Sequence, residues 1–350
     1  MLKFKIFFNN LIYKLYHYRI PMSLRSIHPD FIEIVVTSKC NYDCEMCPRP
    51  RKFPQKELIF SDWEKIITDP IFSNIKFLCI SGGEPFIHQK LLELTELFLN
   101  SMPKLKVLHI NTNGFFTQKI ISLIKTLSPL LEERRIKLSL LISLDGIEEK
   151  HNYIRGNPQA FYKTTKTILA LKSLQKEYSF NFVANCVLSR KNLHEINDVA
   201  KWCKVREIPF RFTLIGFFNR GILKNIDKER DWGFREEDEE YLFKILENFS
   251  SDNYTESTVS RYAHEMLRLY RDKTPRATSC PFTLNGLRID SFGNVYYCYR
   301  KNTIGNFLNN YSISKIYYNS ENLISQRKTA EKECRYCNSS YWCELLPKRI

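Results

Sequence analysis

Strand-like and helix-like segments alternate through the first two thirds of the chain. Residues 31–38, FIEIVVTS, form a short apolar run rich in β-branched residues, which indicates a buried strand. Five further strands are predicted at 75–81, 106–112, 137–144, 180–188 and 209–215. Helices are predicted at 88–101, 117–131, 160–177 and 192–206. Strands that alternate with helices in this way predict parallel βαβ units in an α/β fold.

These units favour a curved, partly closed (β/α) barrel, although an open sheet would have the same periodicity. The acidic and aromatic stretch 226–250 interrupts the alternation, and a cysteine-rich tail begins at Cys280. We therefore predict a basic amphipathic segment, a core barrel, a helical linker and a cysteine-rich domain, with bounds at 1–29, 30–235, 236–274 and 275–350.

Composition and charge restrict the function classes only weakly. The chain has 350 residues, 43% hydrophobic composition and a formal net charge of +15, which suits a large core and an acidic or nucleic-acid partner. Positive charge is locally concentrated at Arg49, Arg51, Lys52 and Lys56. Because no segment outside the predicted barrel and tail resembles a nucleic-acid-binding module, we expect no nucleic acid as a partner.

The N-terminal residues carry no recognisable secretion signal. Polar residues interrupt each apolar run there, and no apolar stretch of the sequence reaches the roughly 18 residues of a membrane span. We therefore predict a cytoplasmic protein without a transmembrane segment. The mixture of basic and apolar residues over 1–29 suits either an anionic membrane or partner, or a helix that covers the core.

Three cysteines, Cys40, Cys44 and Cys47, lie directly after the first predicted strand. Thiolates are soft ligands that select zinc or iron–sulfur clusters, and a structural zinc site needs four ligands. A fourth ligand could come from elsewhere, whereas three thiolates on a four-iron cluster leave one iron open to another ligand. Ligands of α/β barrels bind at the carboxyl ends of the strands, where this loop lies, which favours a reactive cluster.

The Cys-x3-Cys-x2-Cys spacing resembles the signature of the radical S-adenosylmethionine superfamily. In that family three cysteines hold a [4Fe–4S] cluster, and its open iron binds the amino and carboxylate groups of S-adenosylmethionine. Motifs similar to the family's cofactor pocket follow successive predicted strands, as SGGEP at 81–85, NTNG at 111–114, SLDG at 143–146 and HNYIRG at 151–156. The resemblance implies a partial (β/α)6 TIM-like barrel.

The resemblance also implies contacts to the cofactor. Glu84 would receive the methionine amino group, and Arg155 would bind the cofactor carboxylate through charge-assisted hydrogen bonds. Met46 stands where relatives often have an aromatic residue against adenine, and a thioether can also pack on a ring. The other predicted cofactor-binding residues are Gly82, Gly83, Asn113, Ser143 and Leu188, the last against adenine or ribose.

The tail is similar to the SPASM and twitch extensions of radical enzymes, which hold auxiliary iron–sulfur clusters. The similarity rests on Gly293 and Cys298 in SFGNVYYCYR, on IGNF at 304–307 and on CRYCNSSYWC at 334–343. It implies a small C-terminal cysteine-rich domain of the SPASM or twitch type, with an auxiliary [4Fe–4S] cluster.

Five cysteines of the tail are candidate ligands. We expect Cys298, Cys334 and Cys337 to bind the auxiliary cluster, with Cys280 or Cys343 completing the set or leaving an iron open. Zinc is the alternative, although only one pair in the tail has Cys-x-x-Cys spacing. The remaining cysteines are predicted to be small buried hydrophobic residues, namely Cys79, Cys186 and Cys203.

The resemblance implies reductive cleavage of S-adenosylmethionine to a 5′-deoxyadenosyl radical, followed by oxidative modification of a peptide, protein or small carbinol substrate. A flavodoxin or ferredoxin would supply the electron. Sulfatase maturases have an aspartate where this chain has Tyr299, which disfavours sulfatase maturation. The alternatives are a non-catalytic iron–sulfur or zinc-binding interaction protein and an RNA-modifying radical enzyme. The sequence does not identify a general base.

Overall fold

The computed structural model describes most of the predicted barrel and tail. The described residues are 28–48, 56–217, 219–220, 223–224, 226–251, 257–275, 280–283 and 285–339. Three predictions therefore fall wholly or mainly outside the described residues. They concern the segment 1–29, of which only the last two residues are described, the basic residues Arg49, Arg51 and Lys52, and the candidate ligand Cys343.

Six parallel strands form the centre of the fold and confirm the predicted alternation. They are β1 (Phe31–Thr37), β2 (Phe77–Gly82), β3 (Val107–Thr112), β4 (Lys137–Ser143), β5 (Asn181–Leu188) and β6 (Phe210–Leu214). Each strand pairs in parallel with the next one along the chain. All seven residues of β1 are buried, because apolar side chains project from both faces of this strand.

Helices connect these strands. They are α1 (Phe60–Ile66), α2 (Leu91–Ser101), α3 (Thr117–Glu133), α4 (Glu148–Arg155), α5 (Ala160–Leu174) and α6 (Ile196–Val205). In α3, Ile120, Leu123, Ile124, Leu127 and Leu131 are buried at helical spacing, so one face of the helix covers the sheet. The helices predicted from periodicity are confirmed, whereas the short α1 and α4 have too few apolar positions to reveal a period.

The cysteine-rich tail extends the same sheet. Its strands are β9 (Gly286–Ile289), β10 (Asn294–Tyr296) and β11 (Gly305–Asn306), and the order across the sheet is β11-β10-β9-β1-β2-β3-β4-β5-β6. Strand β9 pairs in parallel with β1, and β10 returns antiparallel after a turn in which Gly293 has a φ of 80°. The tail is therefore joined to the barrel through backbone hydrogen bonds.

The remaining elements precede the strands of the tail or follow them within the tail. A hairpin consists of β7 (Asn219–Arg220) and β8 (Leu223–Lys224). It is followed by α7 (Glu229–Trp232), α8 (Glu236–Ser251) and α9 (Ser257–Tyr270). The last three described α-helices are α10 (Phe307–Asn310), α11 (Ile313–Tyr317) and α12 (Ser320–Lys332). Helices α8 and α9 pack against each other. Within the described residues, no helix has both the length and the apolar character that a bilayer crossing requires.

Candidate active site

The three cysteines of the first motif line one cavity. Cys40, Cys44 and Cys47 border a space of about 460 Å³ at the carboxyl ends of the parallel strands. The Cys47 N–H donates to the Cys44 carbonyl oxygen at 3.1 Å, which folds the loop back on itself. Burial raises the pKa of the Cys44 thiol to about 11, so this thiol is neutral until a metal displaces its proton. The set has the ligand type and position that an iron–sulfur cluster needs.

The glycine pair after β2 allows this strand to approach the cysteine loop. The Gly83 N–H donates to the Thr37 carbonyl at 2.8 Å, and the Glu84 N–H donates to the Lys39 carbonyl at 2.8 Å. A Cβ on Gly82 would lie 2.5 Å from the Thr37 carbonyl oxygen. The close approach is therefore to the backbone that carries the first cysteine, and both glycines also line the cavity.

Gly83→Ala is expected to disrupt the cysteine loop. An added Cβ would overlap the Lys39 carbonyl oxygen and lie 2.7 Å from that of Ser38, and backbone atoms cannot move aside as a side chain can. We expect a loss of about 1–3 kcal/mol of unfolding free energy and incomplete cluster assembly, measured by chemical denaturation and iron content. Gly305→Ala is the control, because its added Cβ would meet only side-chain atoms of Ile316 and because Gly305 lies outside both cavities. Equal iron content in both variants and wild type would contradict this prediction.

Glu84 fixes the loops after β2 and β3. Its side chain is fully buried, and one oxygen accepts from the Phe86 N–H at 3.1 Å and from the Thr112 hydroxyl at 2.8 Å. The other oxygen accepts from the Asn113 N–H at 2.7 Å. Burial raises the pKa of Glu84 to about 7 despite these hydrogen bonds. The carboxylate therefore orders the cavity wall, and its predicted contact with the methionine amino group stays a prediction.

Asn113 links the third strand to the cysteine loop. Its side-chain N–H donates to the Asn41 side-chain oxygen at 2.9 Å, and its own oxygen accepts from the Phe115 N–H at 2.9 Å. The same nitrogen lies 4.0 Å from the Cys40 sulfur. The predicted cofactor residue thus lies on the cavity wall directly beside a predicted cluster ligand.

Arg155 forms a buried ion pair that sequence reasoning missed. Its guanidinium contacts the carboxylate of Asp145 at 2.5 Å, and Asp145 is completely buried. The other oxygen of Asp145 accepts from the Val187 N–H at 2.8 Å, and its backbone N–H donates to the His151 ring at 3.0 Å. The two missed residues, Asp145 and His151, lie inside the motifs SLDG and HNYIRG. Their positions in these motifs could therefore have identified them as residues of the site. Arg155 nevertheless lines the cavity, as a carboxylate-binding residue must.

The remaining predicted cofactor residues differ in whether they line the cavity. Met46 and Ser143 line the cavity, whereas Leu188 is fully buried in the core and the adjacent Val187 lines the wall. Successive side chains of a strand point to opposite faces, so an error of one position exchanges wall for core. Val187 is thus the better candidate for the predicted contact to adenine or ribose.

Four tail cysteines line a second cavity of about 390 Å³. They are Cys280, Cys298, Cys334 and Cys337. The Cys337 N–H donates to the Cys334 carbonyl at 3.4 Å, and the Arg300 N–H donates to the Cys298 sulfur at 3.3 Å. Backbone N–H groups directed at a thiolate are typical of iron–sulfur sites, where they tune the cluster. Four thiols around one cavity match the ligand number of a cubane.

Zinc stays the alternative to a cubane in this cavity, because structural zinc also takes four thiolate ligands. Within the described ranges, no group of three or more His, Cys, Asp or Glu side chains is arranged to hold a metal ion. The buried positions of the other cysteines are confirmed for Cys79, Cys186 and Cys203.

The two cavities adjoin each other. Arg300 and Ser339 line both, and Tyr299, which stands at the position of the maturase aspartate, lines the first. The Tyr262 hydroxyl accepts from the Leu214 N–H at 2.9 Å and donates to the Asn338 carbonyl at 3.0 Å, which joins the end of β6 to the loop after the last described cysteine. Sequence reasoning also missed further polar wall residues, namely Asn185, Arg211, Arg288, Asp290 and Tyr296.

Comparison with known proteins identifies a matching family and similar relatives. Residues 34–203 match the family described as the radical SAM superfamily. The subtilosin biosynthesis protein AlbA of Bacillus subtilis is 28% identical over 269 residues, which are 75% of this chain and 53% of AlbA. PqqA peptide cyclase of Bradyrhizobium diazoefficiens is 24% identical over 49% of this chain and 42% of that protein. The chain spans about half the length of the curated relatives it matches.

Solved structures share the fold. Native anSMEcpe with bound AdoMet and the Kp18Cys peptide superimposes with a TM-score of 0.62 and 19% identity, over 90% of this chain and 88% of that one. Streptococcus suis SuiB bound to S-adenosylmethionine superimposes with a TM-score of 0.57 and 17% identity, over 90% of this chain and 70% of that one. Both alignments extend beyond the family match into the tail.

Proposed function

We propose, from the premise that this chain carries a radical SAM domain over residues 34–203, that the protein oxidatively modifies a peptide with the help of an auxiliary cluster. A [4Fe–4S] cluster with bound S-adenosylmethionine would supply a 5′-deoxyadenosyl radical after one-electron reduction, and this radical would remove hydrogen from an unactivated carbon. Cys40, Cys44 and Cys47 would hold this cluster. A flavodoxin or ferredoxin would serve as the reductant.

One observation carries the oxidative part of the proposal, namely that the cavity lined by the tail cysteines adjoins the cavity lined by the first three. An auxiliary cluster in the second cavity would accept one electron from the substrate radical. Together with the hydrogen atom taken by the 5′-deoxyadenosyl radical and a proton released to water, the substrate would lose two hydrogens in total. The peptide part is supported by relatives whose names include a bacteriocin biosynthesis protein and a peptide cyclase. Peptides also accompany three of the similar structures.

The cavity residues would hold the cofactor and the substrate in place, and the reactive chemistry would come from the bound cofactor and clusters. Glu84 and Asn113 hold the loops that face the cysteines. Met46, which lines the cavity, packs with Ile154, Ile215 and Trp232. Ser339 and Arg300 form the boundary between the two cavities. A substrate carbon in the first cavity would thus lie between the source of the radical and the electron acceptor.

Replacing Cys298, Cys334 and Cys337 together by Ala tests the auxiliary cluster. We expect iron to fall from about eight to about four atoms per chain after anaerobic reconstitution, while 5′-deoxyadenosine still forms with dithionite in the absence of substrate. Cys280→Ala should also perturb the second cluster, because Cys280 lines its cavity, and Cys343→Ala tests the other candidate for the fourth ligand.

Zinc in the tail together with about four irons in wild type would overturn the auxiliary-cluster assignment. The peptide assignment is tested by incubating wild type with S-adenosylmethionine, dithionite and a random peptide library, followed by mass spectrometry for peptides that have lost two hydrogens. We expect such products with wild type and not with the tail variant. Clusters without any cleavage of S-adenosylmethionine would favour the binding-protein alternative instead.

A further inference from the structure

Two lysines lie over two neighbouring aromatic rings. Lys163 Nζ is 5.2 Å from the centroid of the Phe115 ring, and Lys119 Nζ is 4.9 Å from that of Phe116. The two ring centroids are 5.1 Å apart, so both ammonium groups belong to one small surface, which we call the lysine patch. Lys119 also donates to the Phe86 carbonyl oxygen at 3.1 Å. Within the described part of the chain, no carboxylate forms an ion pair with either lysine.

The lysine patch lies against the loop that carries the first three cysteines. Phe115 packs, together with Cys40 and Cys47, against a buried cluster that contains Tyr42 and Cys44. The rings of Phe115 and Tyr42 meet edge to face, with centroids 5.9 Å apart. Phe115 lines neither of the two cavities, so it contacts the cysteine loop from outside them. A partner on the patch would thus approach the first cluster without entering the cavity.

Both lysines stand where helices disfavour positive charge. Lys119 is the third residue of α3 and Lys163 the fourth residue of α5, and neither helix has an acidic residue in its first turn. The amino end of a helix carries partial positive charge, so acidic residues are preferred there and lysines lower the stability of the helix. The two helix ends therefore add to the positive charge of the patch. Sequence features that oppose local stability are expected at functional sites.

We propose that the lysine patch binds an acidic one-electron carrier protein that reduces the first cluster. This inference rests on the proposed function, which requires such a carrier. One electron would leave the reduced carrier and enter the [4Fe–4S] cluster, and no atom or proton would be transferred. Opposite charges steer the encounter of two proteins, and transient electron-transfer complexes bury less than about 1,200 Å² in total. A small patch of charged and aromatic groups is therefore sufficient, and the net charge of +15 favours the same partner.

The test measures binding and electron delivery separately. A flavodoxin is titrated calorimetrically into the anaerobically reconstituted full chain, and 5′-deoxyadenosine is assayed on the same samples with dithionite or with the flavodoxin and its NADPH-dependent reductase. For Lys119→Glu combined with Lys163→Glu, we expect about tenfold weaker binding and a similar loss of flavodoxin-driven product. Dithionite-driven product should be unchanged. The new acids stand in first helical turns, where they suit the helix ends, so folding should be retained.

Lys106→Glu combined with Lys137→Glu is the matched control. Both lysines are exposed at the amino ends of β3 and β4, whereas the cysteine loop follows the carboxyl end of β1. The control makes the same change of net charge and should keep flavodoxin binding within about twofold of wild type.

Unchanged flavodoxin binding in the patch variant would overturn the proposal, as would an equal loss in the control, which would show an effect of net charge alone. Loss of dithionite-driven product in the patch variant would assign the lysines to the assembly of the first cluster instead. Wild type that forms 5′-deoxyadenosine with dithionite but does not bind flavodoxin would reject only this inference. Wild type that forms none with either reductant would reject the proposed function.

Discussion

Replacing Cys40, Cys44 and Cys47 together by Ala is expected to abolish formation of 5′-deoxyadenosine. The three thiols line one cavity and are the ligands predicted for the cluster that reduces the cofactor. Without them no iron can be held there, whereas the tail cysteines are left in place. Iron should therefore fall from about eight to about four atoms per chain, and the product should fall to the detection limit of liquid chromatography.

A matched control removes the same number of thiols from the core. Cys79, Cys186 and Cys203 are buried and lie outside both cavities, so their joint replacement by Ala should retain the iron and the activity. This control also shows whether a general loss of stability accounts for the result, because deleting buried sulfur atoms leaves small cavities. Undiminished 5′-deoxyadenosine from the first variant would refute the assignment of the radical site.

The alternation of elements was predictable because the parallel strands have a strong local signal. Buried strands such as β1 are short apolar runs, and helices such as α3 repeat their apolar residues at helical spacing. The connection of the tail to the sheet was not predictable. Pairing of β9 with β1 joins residues more than two hundred positions apart, and no local pattern encodes such a partner.

The site was predictable where its chemistry is local. The cysteine motif and the strand-end motifs are contiguous, and their residues do line one cavity. The arginines of the wall come from distant strands, so only the fold brings them together. The sequence also left uncertain, by one position, which residue of a strand faces the cavity. Leu188 was predicted as a cofactor contact, but the adjacent Val187 lines the cavity, because consecutive strand residues point in opposite directions.

Arg155→Ala is expected to impair both stability and cofactor cleavage. The side chain is about nine-tenths buried and pairs with the fully buried Asp145 at 2.5 Å. Removing one partner of a buried pair leaves an uncompensated charge and costs about 3–5 kcal/mol. On the same helix, Lys150→Ala breaks a partly exposed pair with Glu195 and should cost at most about 1 kcal/mol. Chemical denaturation measures both losses.

The pH dependence follows from the carboxyl group that remains. Burial raises the pKa of Asp145, and the charge of Arg155 opposes this effect. Without Arg155 the folded-state pKa rises further above the unfolded value, so the folded protein binds a proton more strongly than the unfolded chain. Stability of the variant should therefore be greatest at acidic pH and fall as the pH rises. A loss that is the same at every pH would contradict an uncompensated Asp145 as its cause.

A double variant separates the structural role of Arg155 from a role toward the cofactor. Asp145→Asn combined with Arg155→Ala removes both charges, so a large part of the stability lost in the single variant should return. Cofactor cleavage should stay low in the double variant if Arg155 binds the carboxylate of S-adenosylmethionine, since that contact is still missing. Recovery of cleavage together with stability would instead make Arg155 a positioning residue that acts through Asp145. The two outcomes differ in activity at equal stability, so folding alone cannot imitate either of them.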